Sequence, residues 1–274
     1  MVFLKYMIKR LCVFFFILFT LSGIPAHADV RESEFSFAVI GDTQPSQITG
    51  GIPDIFKKAI EKINAAKVDF VVQVGDAIYL GMNDANIGGA ENQWKDFKNE
   101  IEKLAMPFYK APGNEDIWSA SSQYYYRKLF SNKLYYSFDH ANSHFVILDT
   151  ELAGFGGSIP RVEGAWLEND LKTTSKENIF VFLHRPVISR RHPMLLDERS
   201  RQYLRDLFSE YKVKAVFSGH EHLYNKESYG NVDYYITGGG GAPLYDFGVG
   251  GSFYHFLVVT VEGKNVKVDV IKIP

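Results

Sequence analysis

Five short polar clusters carry the residue types from which a metal site can be assembled. They are Gly41-Asp42-Thr43-Gln44, Gly75-Asp76, Gly113-Asn114-Glu115-Asp116, His184-Arg185-Pro186 and Gly219-His220-Glu221-His222. Asp, Asn and His offer carboxylate, amide and imidazole donors that suit divalent or trivalent ions such as zinc, manganese or iron. A His-x-His pair on a tight loop can aim two imidazoles at neighbouring ions, and an Asp between two ions can bridge them. Two ions about 3.5–4 Å apart can clamp a phosphate and hold a hydroxide poised for in-line attack. Taken singly, Asp42 or Asp76 has an ordinary structural use, because Asp caps helices and closes turns. Taken jointly with His184 and the two-His loop, they point to a dinuclear site. His140, His144 and His255 stand outside the clusters and read as hydrogen-bonded core or surface residues.

Short apolar runs precede these clusters. SFAVIG (36–41), VDFVVQVG (68–75), PFYKAPG (107–113), NIFVFLH (178–184) and AVFSG (215–219) read as strands, and HFVILDT (144–150) as a sixth. Most are continuous apolar runs, as expected of strands buried on both faces. Between them, Asp54–Ala66, Ala90–Ala105, Glu163–Thr173 and Glu198–Tyr211 carry apolar residues at helical spacing. A further helix is expected around Tyr124-Tyr125-Tyr126, where the aromatic side chains either pack or wall a cleft. The alternation predicts an α/β layered fold. All five clusters then fall at carboxyl ends of strands, where the loops of open α/β sheets converge on one crevice. Glycine before the polar residue, in four of the five, lets the chain turn sharply beside a bound ion or anion. YYITGGGGAP (234–243), SFYHFLVVTVEG (252–263) and VKVDVIKI (266–273) are predicted to close the chain as a β-meander, with a hairpin turn at Glu262-Gly263-Lys264-Asn265. Gly238–Gly241 is expected to turn beside the site, although it lacks the lysine of a P-loop.

The first 28 residues read as a signal peptide rather than as fold: Lys5, Lys9 and Arg10 precede an apolar stretch from Leu11 to Ile24, and Ala26-His27-Ala28 offers a small-residue cleavage site. The apolar stretch is shorter than the roughly 20 residues of a spanning helix. Residues 29–274 are then expected to be a single exported domain, periplasmic or secreted, with no stable membrane anchor after cleavage. The only cysteine, Cys12, lies inside the leader, so disulfides and thiolate chemistry are excluded from the remainder. Loss of three positive charges and no negative ones takes the net charge from −2 to −5. No basic block marks a nucleic-acid footprint.

The order Asp-x-x, Gly-Asp, Gly-Asn-x-Asp, His, Gly-His-x-His, running from Asp42 to His222, resembles the calcineurin-like metallophosphoesterase superfamily. The helix at Trp166-Leu167-Glu168-Asn169-Asp170-Leu171 is similar too. The resemblance implies two packed mixed β-sheets flanked by helices, a four-layer α-β-β-α sandwich with the site at the carboxyl edge. It implies one ion held by Asp42, Asp76 and His222 and a second by Asp76, Asn114, His184 and His220, with Asp76 bridging. The implied cofactors are two metal ions (iron, zinc or manganese). The implied reaction is hydrolysis of a small phosphate ester, mono- or diester, by a metal-bridging hydroxide.

Two positions depart from the pattern. Gln44 stands where many members have a ligand His, and its amide oxygen would ligate neutrally and more weakly. Tyr79, three residues after Asp76, makes a Gly-Asp-x-x-Tyr string that resembles the purple acid phosphatases, in which the first-motif His is missing and a tyrosinate binds ferric iron; here Tyr79 is either that ligand or an ordinary aromatic wall. Glu115 stands where the family usually has the His that contacts phosphate and protonates the leaving group, while the following acid, Asp116, is retained. A carboxylate beside two cations is held ionised and has no proton to give. Glu115 could order a water or ligate, another residue such as His192 in RRHPM (190–194) could supply the proton, or the chain could be a catalytically weakened module that binds phosphorylated ligands. Arg185, Arg190 and Arg191 carry the guanidinium chemistry suited to phosphate oxygens, against the alternative of a solvated loop.

Overall fold

The computed structural model describes residues 34–47, 50–80, 83–189, 196–246, 248 and 250–274. The leader at 1–28 and the candidate proton donor His192, with Arg190 and Arg191, lie outside the described residues. No helix among the described residues is long and apolar enough to cross a membrane.

Two mixed sheets form the centre. In the first, the order is β11 (Asn265–Lys272), β10 (His255–Glu262), β1 (Glu34–Ile40), β2 (Phe70–Val74) and β3 (Phe108–Ala111). In the second it is β4 (Tyr136–His140), β5 (Ser143–Ile147), β6 (Asn178–Phe182), β7 (Ala215–Ser218), β9 (Val232–Thr237) and β8 (Tyr224–Tyr229). The central pairs β1–β2, β2–β3, β5–β6, β6–β7 and β7–β9 are parallel. Antiparallel strands close the flanks.

Side-chain alternation along each strand decides the layering. On β1, Phe35, Phe37 and Val39 enter the space between the sheets, while Ala38 and Ile40 face the outer helices. The inter-sheet layer is strongly aromatic. Phe37 lies parallel to Phe70 at 5.2 Å and meets Phe145 and Phe180 edge-on, each at 5.3 Å, which are favoured ring geometries. Helices α1 (Asp54–Ala66), α2 (Ala90–Ile101) and α3 (Ala120–Leu129) cover the first sheet. Helices α4 (Arg161–Thr173) and α5 (Glu198–Glu210) cover the second. The four-layer α-β-β-α sandwich implied by the motifs is thus the fold.

Helix α1 shows why these segments are helical. Phe56, Ala59, Ile60 and Ile63 form one buried stripe at helical spacing, and Lys67 closes the helix in the left-handed conformation. Helix α2 stops at Ile101 rather than at Ala105. The Asn64 side chain bonds both Lys103 O (2.8 Å) and the Ala105 amide (2.9 Å), taking over backbone groups that further helix would have used. The expected terminal meander does not form. β9 lies parallel to β7 in the second sheet, and the chain crosses through Gly238–Gly241 to the first sheet, where only β10 and β11 make the predicted hairpin.

Candidate metal centre

The loops after β1, β2, β3, β6 and β7 meet at one edge. Three residues there hold a backbone that side chains rarely adopt: Asp42 (φ 57°), Asp76 (φ 55°) and His220 (φ 69°). Left-handed backbone of this kind costs about 1–2 kcal/mol per residue, and such strain gathers at functional sites. Each of the three follows a glycine. The need for glycine is clearest at Gly113 and Gly219, where a Cβ would collide with the Asp76 and Asp42 carboxylates respectively.

Two groups of ligand atoms converge there. The first is Asp42, Asp76 and His222, whose candidate ligand atoms lie within 4.8 Å of one another. His222 Nε2 is 3.4 Å from Asp42 Oδ1, and its Nδ1 lies 2.8 Å from the Pro243 carbonyl. A carbonyl only accepts, so Nδ1 carries the proton and Nε2 faces the carboxylates. The second group is centred on His184, whose Nδ1 donates to Val74 O at 2.9 Å. Its Nε2 faces Asn114 Oδ1 at 2.9 Å, His220 Nδ1 at 3.1 Å and Asp76 Oδ2 at 3.4 Å. Asp76 belongs to both groups.

The electrostatics are those of a site that favours positive charge. Burial opposes the charged form of His184, yet Asp76, Asp42 and Glu151 outweigh it and push its pKa up to about 9. A proton on Nε2 then occupies the spot facing Asn114 and Asp76. His220 is held well below its ordinary value by burial and by the neighbouring His184 and Arg185 charges, so it stays neutral. Burial raises the Asp42 carboxyl, whereas at Asp76 burial is outweighed by His184 and the carboxyl is lowered. Gln44, only 3% exposed, has its amide nitrogen 3.3 Å from Asp76 Oδ2 and 3.5 Å from His222 Nε2. Its buried amide oxygen has no hydrogen-bond partner among the described residues. Carboxylate, amide and imidazole atoms thus converge at this edge, with one buried amide oxygen left over. That donor set fits metal ions.

The other expected site residues are placed differently. Tyr79 is half-buried and its backbone is clamped on both sides by Gln93, at 2.8 and 2.7 Å. The Glu115 amide donates to Asp76 Oδ1 at 2.9 Å, and its Oε2 accepts from the Leu80 amide at 3.2 Å, so the residue ties its loop to the one after β2. Asp116, the acid retained beside Glu115 and a candidate catalytic residue, is engaged by its neighbours. It is 1% exposed and pairs with fully buried Lys110, and it accepts from the amides of Gly113 (2.8 Å), Asp76 (3.1 Å), Ala77 (3.0 Å) and Ile78 (3.4 Å). A carboxylate occupied in this way braces a loop. Arg185, 8% exposed, is not on a solvated loop: it grips Glu151 through Nε (2.6 Å) and Nη2 (3.1 Å), with Nη1 3.5 Å from His220 Nε2. His140, His144 and His255 lie away from the clusters. His144 bridges Asp139 (2.7 Å) and Asp170 (2.9 Å), and His255 contacts Thr237.

Three residues at or beside the site have no place in the sequence motifs. Glu151 follows the sixth strand end, a position that could have been inspected for a partner. Lys110 is a lone cation inside an apolar strand, which is itself a signal of a buried partner. Tyr245 stacks on His222 with ring centres 4.3 Å apart, and nothing in its local sequence announces this. Burial, then the charges of Asp42, Asp76 and Glu115, push its phenol up to about 12.

A two-sheet sandwich with this set of strand-end ligands defines a metallophosphoesterase. A profile of the calcineurin-like phosphoesterase family matches residues 35–224, and the chain belongs to that family. Within it, the chain carries purple acid phosphatase-like features. It is 25% identical to a phosphoenolpyruvate phosphatase of Allium cepa over 236 residues, which are 78% of this chain and 47% of that protein. It is 24% identical to the Fe(3+)-Zn(2+) purple acid phosphatase 12 of Arabidopsis thaliana over 234 residues, 77% of this chain and 48% of that protein. The structure of the purple acid phosphatase PPD1 from yellow lupin (Lupinus luteus) superposes with a TM-score of 0.73 at 19% identity, covering 88% of this chain and 52% of that one. The chain thus spans about half the length of these relatives.

Proposed function

We propose that this chain is an exported phosphoesterase of the purple acid phosphatase type that hydrolyses small phosphate esters with two metal ions. The observation that carries the reading is Asp76, common to two converging ligand groups. Asp42, Asp76 and His222 would hold one ion, with Gln44 or Tyr79 completing it, and Asp76, Asn114, His184 and His220 the other. When bound, such ions supply an activated water and stabilise charge on the phosphoryl oxygens. Val74 O and Pro243 O fix the tautomers of His184 and His222, so that both rings present Nε2. His220 faces the second group through Nδ1, 3.1 Å from His184 Nε2. The Glu115 amide holds its loop to the Asp76 carboxylate, and no histidine stands at this position to protonate a leaving group. Esters whose leaving groups depart unprotonated, such as aryl and enol phosphates, are therefore the favoured substrates. Export is supported by the basic and apolar pattern of residues 5–28.

The test is to purify the protein, quantify its metals, and assay activated mono- and diesters with manganese, zinc and iron. Turnover with about two ions per chain is expected. Full occupancy without turnover by any metal would leave the second reading, a module that only binds phosphorylated ligands, which the missing histidine at Glu115 favours. With iron, Tyr79→Phe should abolish visible charge-transfer absorption; an unchanged spectrum removes Tyr79 from the ligand set.

A further inference from the structure

Lys110 is a fully buried cation in the middle of β3. Its Nζ pairs with Asp116, donates to Ala111 O at 2.9 Å, and lies 5.5–5.9 Å from the ring centres of Tyr126, Trp94 and Phe130. Burying an ammonium ion is costly even when it is paired, and a hydrophobic pair in place of Lys110 and Asp116 would often be no less stable. Burial accordingly lowers the lysine's pKa, while Asp116 and Asp76 oppose the shift. The charge therefore needs a reason. Asp116 supplies one. Its oxygens hold the amides of Asp76, Ala77 and Ile78, a segment outside any strand or helix. Asp76 itself sits in strained left-handed backbone.

We propose that Lys110 is a positioning residue for the metal centre: through Asp116 it pins the turn that presents the Asp76 carboxylate. This rests on the reading of Asp76 as a shared metal ligand. Supports behind a metal's ligands typically change metal affinity about 10–100-fold when removed. The experiment compares the parent with Lys110→Met and the milder Lys110→Gln, using zinc affinity of the folded, chelator-stripped proteins by calorimetric titration. The expected result is a loss of about 10–100-fold in Lys110→Met and a smaller loss in Lys110→Gln. A purely structural lysine would lower the melting temperature and leave the affinity of the folded protein within about twofold of the parent, and that result overturns the proposal. If neither variant folds, amide exchange in the stripped parent decides. Protected Asp76 and Ala77 amides support the pinned turn, and fast exchange at both refutes it. A parent that binds no zinc would instead sink the metal-site reading itself.

Discussion

Asp42→Asn separates stability from metal binding. Asp42 is fully buried. Burial pushes its carboxyl up against the pull of His222 and His184, and Asp76 pushes it the same way as burial. A carboxylate raised in the folded state is ionised at a net cost at neutral pH. The asparagine keeps the shape and one oxygen for the His220 amide, now held at 3.0 Å by each carboxylate oxygen. Removing that cost should make the metal-free fold more stable than the parent at neutral pH. With metal the order should reverse. At free metal a hundredfold above Kd, one site adds about 2.7 kcal/mol, or about 5–11 °C. If losing the carboxylate weakens binding about a hundredfold, the same concentration equals the new Kd and adds only about 0.4 kcal/mol. The assay is scanning calorimetry of both proteins after chelation and again with zinc or manganese. A variant no more stable than the parent without metal, and raised equally by it, would refute both the buried-charge cost and the ligand assignment.

Two further outcomes can be checked. His144 is clamped between Asp139 and Asp170; burial opposes its charge, but the two carboxylates raise its pKa above the ordinary 6.5. With the folded-state pKa raised, the clamp contributes fully below about 6.5 and fades as pH climbs from there through the higher folded-state pKa. His144→Asn should therefore cost about 1–2 kcal/mol in urea unfolding at pH 5.5 and distinctly less at pH 9, and a pH-independent cost would be inconsistent with the clamp. Glu115→His should raise turnover of alkyl esters toward the 10²–10⁴-fold that a general acid contributes, with little effect on nitrophenyl esters. An equal fall for both substrates would show that the Glu115 carboxylate serves chiefly to hold the Leu80 amide and its loop.

The sequence by itself determined the central strands and most helices, because apolar runs and helical stripes are local signals that burial reinforces. Asp54–Ala66 could be bounded to the residue for that reason. It also determined the ligand candidates, since Asp, Asn and His after strand-ending glycines keep their chemistry wherever the chain goes. Strands β4 and β8 were not legible. β4 is at most half-buried, and β8 (YNKESY) is a largely polar edge strand, so neither shows the apolar run of a central strand. Sequence order suggested that β9 continues into β10, but strand pairing is a long-range choice, and the two sheets divide those neighbours between them. Only the tertiary structure decided what surrounds Asp116. Its partners are amides from a loop some forty residues away and a lysine buried under three aromatic rings. Tyr245 reached His222 in the same way. Residue type sets what a side chain can do, but folding sets which donors and charges surround it, and at Asp116 those surroundings are a buried lysine and four backbone amides.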